Sequence, residues 1–87
     1  MKIIILDGSR FTSRQEAHEY IQKTLSFPSY YGKNLDALDD CLSELSRDIG
    51  VVMTNLDAAR FMLGEYADGI LEDFEDVLGA KGRFFIV

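Results

Sequence analysis

The chain has one cysteine (Cys41), one proline (Pro28), one histidine (His18) and no tryptophan. A lone cysteine forms no intramolecular disulfide and builds no cysteine-based zinc site, which fits a reducing compartment. Long apolar runs are missing. Ile3-Ile4-Ile5-Leu6 is far too short for a signal peptide or a membrane span, so the expectation is a soluble, cytoplasmic protein with no membrane partner. Basic residues are scarce, nine against fifteen acidic ones, for a net charge of −6. Phosphate contacts need Lys and Arg, so direct nucleic-acid binding is disfavoured.

What is present suits one small domain spanning residues 1–87. About half the residues are hydrophobic, enough for a packed core, and there is no repeat or linker. The charge is polarised. Residues 34–79 carry twelve acids and two bases, while the remainder carries seven bases and three acids. Two readings fit this, a solvated acidic surface and a face built to meet a basic partner.

Three β-branched or aromatic runs, Ile3–Leu6, Val51–Met53 and Phe84–Val87, read as strands buried on both faces. Helical patterns separate them. The expected fold is α/β: a three-stranded parallel sheet covered by about three to four helices. Ser13 with Glu16 forms a capping box, followed by Ala17, Tyr20, Ile21 and Leu25 at helical spacing until Pro28. A second helix begins near Asn34, with Leu35, Leu38, Leu42 and Leu45 on one stripe and Arg47 near its end. Asp36, Asp40 and Glu44 recur on its far side, with Asp39 flanking. That spacing is self-repelling, and a helix seeking only its own stability would interleave lysines. A short helix covers Asp57–Leu63, capped by Asn55 or Asp57. The last spans 65–80, with a core stripe of Tyr66, Ile70, Phe74, Val77 and Leu78.

Catalytic readings find little support. Asp36 and Asp40 lie one turn apart, yet a convex solvated face does not split their pKa values. His18 lacks ligand-spaced partners and reads as partly exposed. Cys41 reads as a small core residue, Asp7-Gly8 as an ordinary turn without a phosphate loop, and Phe11, Phe61, Phe84 and Phe85 as core. No catalytic residue, metal site or cofactor is expected. Tyr30 and Tyr31 differ in kind. Two rings beside a carboxylate row make an anchor-plus-charge arrangement, with Tyr30 assigned to an interface and Tyr31 to the core.

The stretch Tyr30-Tyr31-Gly32-Lys33-Asn34-Leu35-Asp36-Ala37-Leu38-Asp39-Asp40-Cys41-Leu42 closely resembles the signature of the barstar family, the intracellular ribonuclease inhibitors. The remainder of the chain matches more loosely and in the same order. The resemblance implies a non-enzymatic inhibitor, monomeric when free. It implies one-to-one binding to a basic, guanyl-specific ribonuclease of the barnase type. Under it, Asp40 is the plug at the substrate-phosphate position and Asp36 pairs with a basic residue at the rim. Tyr30 lies against a catalytic histidine, Asn34, Leu35 and Ala37 make close contacts, and Asp76 adds an acid from the last helix. Glu44 replaces a glycine of that pattern, and Asp39 and Leu45 replace tryptophans. These departures bear on which nuclease is bound. The alternatives are an immunity protein for a different nuclease toxin and, in another class, a small acid-catalysing enzyme.

Overall fold

The structure, a computed structural model, describes residues 1–87. Strand β1 (Lys2–Asp7) runs into a 3-10 turn at Gly8–Arg10, then helices α1 (Arg14–Leu25) and α2 (Leu35–Ser43), and strand β2 (Ile49–Thr54). Helices α3 (Leu56–Leu63) and α4 (Glu65–Val77), a second 3-10 turn (Gly79–Lys81) and strand β3 (Phe84–Ile86) complete the chain. The three strands are parallel in the order β1-β2-β3, with helices in the connections. This is the α/β architecture expected from the alternation of strand and helix patterns.

The register sets Ile4 beside Val51 and Val51 beside Phe84, with Leu6 beside Met53 one step along. Side chains alternate across a strand, so these residues share one face. That face is where the core forms: Leu6, Val51 and Met53 are wholly inaccessible and join Ile21, Leu38, Leu42, Ile70, Phe74 and Leu78 in one apolar cluster. Burying each large aliphatic or aromatic side chain contributes about 1.5–3 kcal/mol before the entropy of ordering it is charged. Phe74 of α4 stacks on Phe84 of β3 with centroids 5.2 Å apart, joining the last helix to the sheet edge.

Three expectations fail here. The strands are not buried on both faces. Ile3, Ile5 and Phe85 alternate onto the side away from the helices and are 48%, 60% and 44% exposed. An unbroken apolar run hides the alternation, so it cannot tell a strand covered on both sides from one covered on one. Phe61 lies on the open side of α3, 88% exposed, and is not a core residue. His18 is buried at 1% exposure rather than sitting at the surface. On a 100° wheel it falls about 20° from Leu25, within the apolar stripe of α1.

Helix ends also differ. The Ser13 hydroxyl accepts from the Glu16 N–H at 3.1 Å, as the capping box predicts. Helix α2 stops at Ser43 with Glu44 as its C-cap, so Leu45 and Arg47 lie beyond it and no base occupies its last turn. Asn55 precedes α3 in the left-handed region at φ 53°, and its side chain makes no cap. It donates instead to the Asp7 carboxylate at 2.9 Å, tying the ends of β1 and β2 together. Gly64, at φ 60°, breaks α3 from α4 with a backbone that side-chain-bearing residues rarely adopt.

Candidate functional site

The site is built on the start of α2. Asn34 has extended backbone, and its Oδ1 accepts from the Ala37 N–H at 2.7 Å while Nδ2 donates to the Gly32 carbonyl at 3.3 Å. It satisfies one of the helix's orphan donors and fixes the turn before it. Leu38 and Leu42 point into the core. Asp36, Asp39, Asp40 and Glu44 are left exposed on the other side. Leu35 is half-buried against α4: a Cβ on Gly69 would come within 2.8 Å of its Cδ1, so glycine there lets the two helices approach.

None of these four carboxylates has a counter-ion. The ion pairs of the molecule are Lys33 with Glu19, Arg60 with Asp68, and the N-terminus with Asp48. Asp36 is favoured by the helix dipole at the first turn. Asp40 and Glu44, toward the C-terminal end, oppose it. The row is therefore costly to the free protein and complementary to a positive surface.

The two tyrosines separate as expected: Tyr30 is 83% exposed and Tyr31 5%. What holds Tyr31 was not foreseen. Its hydroxyl lies 2.6 Å from His18 Nδ1, and His18 Nε2 lies 2.6 Å from the hydroxyl of Tyr66 on α4. A neutral imidazole donates from one nitrogen and accepts at the other, so one tyrosine accepts and one donates. Burial lowers the His18 pKa and keeps the ring neutral, and burial raises the hydroxyl pKa of both tyrosines. The Arg14 guanidinium stacks 4.3 Å from the Tyr66 ring centroid. Thus α1, the loop before α2, and α4 are clamped around one histidine.

Two adjoining hollows divide the sequence-predicted residues. Tyr30, Ala37, Asp40 and Glu44 line a shallow recess of about 270 Å³ together with Tyr31 and Cys41. Asn34, Leu35 and Asp36 line a wider open groove of about 800 Å³ with Arg14, Lys33 and Tyr66. Asp76 lines neither hollow; it is exposed on α4, which packs against α2. Cys41 is half-buried, and burial, then Glu44 and Asp40, raise its thiol pKa. No group of His, Cys, Asp and Glu has the geometry of a metal site.

Sequence reading missed Asp73. It lies on α4 with its Oδ2 sealed from solvent and unpaired. The signal was available: on the α4 wheel Asp73 falls about 20° from Tyr66 and about 40° from Val77, inside the apolar stripe. An acid at an apolar position marks a buried or functional carboxyl.

Comparison with known proteins adds two findings. The family model described as barstar (barnase inhibitor) matches residues 1–87. A Bacillus subtilis (strain 168) protein, provisionally named as the ribonuclease inhibitor YrdF, is 39% identical over 77 residues, covering 87% of this chain and 85% of the relative.

Proposed function

The chain belongs to the barstar family, a family of inhibitors rather than enzymes, and on that premise we propose that it inhibits a basic, guanyl-specific ribonuclease of the barnase type by filling its active site with α2 and the preceding loop. The observation that carries this reading is the exposed row Asp36, Asp39, Asp40 and Glu44, four carboxylates without a single counter-ion, beside the exposed ring of Tyr30. Nuclease active sites concentrate positive charge to hold phosphate, and a fixed carboxylate row is its complement.

In this mechanism the whole chain acts as one domain and forms a one-to-one complex in the cytoplasm. It is a monomer when free. Long-range attraction steers the two proteins together. The Asp40 carboxylate takes the place of the substrate phosphate and accepts charge-assisted hydrogen bonds from arginines of the partner. Asp36 and Asp76 pair with bases at the rim. Tyr30 stacks on the partner's catalytic histidine, and Ala37 and Leu35 permit close approach. Asn34 caps α2 through its Oδ1 and, being exposed, also supplies a polar contact to the partner.

A second reading, an immunity protein for a different nuclease toxin, draws on Glu44. Its carboxylate shares the recess with Asp40 and Tyr30, adding charge where the family pattern has a glycine. A nuclease with an extra base at that point would suit it better.

The test is titration into RNA-cleavage assays with a panel of guanyl-type ribonucleases, beside an Asp40→Ala variant. The expected result is stoichiometric inhibition by the native protein, abolished in the variant. Inhibition of no member of the panel would transfer the assignment to the immunity-protein reading.

A further inference from the structure

Between α2 and α4 lies a carboxyl that the inhibitory mechanism above does not use. Asp73 Oδ2 is sealed from solvent and receives no hydrogen bond. The charges that act on the group are all negative: Asp36 and Asp39 from α2, Glu72 and Asp76 from its own helix. In turn, Asp73 bears on the hydroxyls of Tyr31, from the loop before α2, and Tyr66, from α4. Arg14 of α1 is occupied over the Tyr66 ring, and Arg60 of α3, which also packs on α4, is paired with Asp68.

We propose that Asp73 is a proton-linked residue of the inhibitory face, giving up a proton when the basic partner docks over α2 and α4. The proposal rests on the inhibitor reading, since it needs cations delivered to that face. Its physical basis is the seam itself. An ionised carboxylate wants donors or water at both oxygens, and one oxygen of Asp73 has neither. Four like charges nearby penalise ionisation further. Burial first, then Asp39 and the other acids, push its pKa up to about 6. A docked guanidinium or ammonium near Asp36, Asp39 and Asp76 cancels their repulsion and attracts the Asp73 anion directly, and the two together outweigh the burial that also favours the proton. The ionised form then prevails and the proton leaves to solvent.

Linkage fixes the sign. If the partner binds the ionised form better, affinity rises as pH rises through the free-state value. With that value near 6 in the free protein and ~5 in the complex, the dissociation constant falls about fivefold between pH 5 and pH 7 from this group alone. The partner's own histidines titrate in the same range, so the quantity to read is the difference between native protein and Asp73→Asn, which keeps shape and removes the proton.

The experiment is calorimetric titration of a catalytically inactivated guanyl-type ribonuclease at pH 6, in two buffers of different ionisation enthalpy. Carbon-13 NMR titration of the Asp73 carboxyl in the free protein accompanies it. Expected are release of about 0.4 proton more by the native protein than by Asp73→Asn, an affinity gain from pH 5 to pH 7 about fivefold larger than the variant's, and an NMR midpoint near 6. Tight binding with equal proton release in both proteins would overturn the proton link and leave the inhibitor reading standing. So would an NMR midpoint in the ordinary aspartate range, a result that needs no variant to fold. No binding at any pH would overturn the inhibitor reading and this proposal with it.

Discussion

The Nδ1 of His18 sits 2.6 Å from the hydroxyl of Tyr31, so the residue next to the fully presented Tyr30 is anchored in the interior of α1. The exposed Tyr30 ring of the proposed inhibitory face is thereby held by a buried hydrogen bond of its neighbour rather than by its own contacts. Tyr31→Phe removes that partner and leaves a buried ring nitrogen unsatisfied, which costs about 1–3 kcal/mol. Urea denaturation should show this loss. Inhibition should weaken as well, although Tyr31 itself is hidden, because the loop carrying Tyr30 loses its tether.

Arg83 is buried at 7% exposure with no carboxylate beside it. Its Nε donates to the Ile49 carbonyl at 2.9 Å, and an Nη donates to the Ser46 carbonyl, closing the segment between α2 and β2 onto β3. Arg83→Met strands both carbonyls and should cost about 2–6 kcal/mol in urea denaturation, at about 1–3 kcal/mol for each group left unsatisfied. Arg83→Lys should recover only part of it, since a point charge does not reproduce the planar fork.

Two titrating groups, the buried His18 and the half-buried Asp73, act in opposite directions on stability. The folded pKa of His18 is lowered from its ordinary 6.5, so its contribution falls as pH drops below 6.5. Asp73 is raised from 3.8 to about 6, so its favourable contribution is full below 3.8 and is lost as pH rises through 6. Thermal melts from pH 7.5 to pH 5 should therefore fall more steeply for Asp73→Asn than for the native protein. At pH 7.5 the variant should be the more stable of the two.

Asp40 and Glu65 are both exposed acids, on α2 and on the first turn of α4. If the carboxylate row acts as a fitted plug, Asp40→Ala costs about 3–5 kcal/mol of binding, the scale of breaking a desolvated charge pair. Glu65→Ala should change binding by less than about 0.5 kcal/mol, as for an ordinary surface substitution. Equal small losses would leave only diffuse attraction.

Salt separates steering from holding. Raising ionic strength from about 0.01 M to about 1 M shortens the screening length from about 30 Å to about 3 Å. Stopped-flow association should slow by orders of magnitude while dissociation changes little. An association rate indifferent to salt would remove the role given to the unpaired row.

Much of the molecule was legible in one dimension, because the signals concerned are local. Strand runs separated by helical stripes specify a parallel α/β sheet, Asn34 marks a helix start, and the excess of acids over bases in residues 34–79 is a matter of counting. The motif around Asp36 and Asp40 also identified the family. Tyr30 and Tyr31, identical neighbours, read as an interface ring and a core ring, and their exposures of 83% and 5% separate in that sense.

Tertiary structure decided what depends on contact between distant segments. It chose which face of β1 meets the helices, leaving Ile3 and Ile5 exposed, and it placed His18 between tyrosines 13 and 48 residues away. It turned Arg83 inward onto two backbone carbonyls and set Asp73 among carboxylates of two helices with one oxygen dry. The reason is physical. Periodicity along a chain records which residues avoid water, but burial of a polar group is stable only when another segment supplies its partner, and that partner is fixed by the packing of elements against each other.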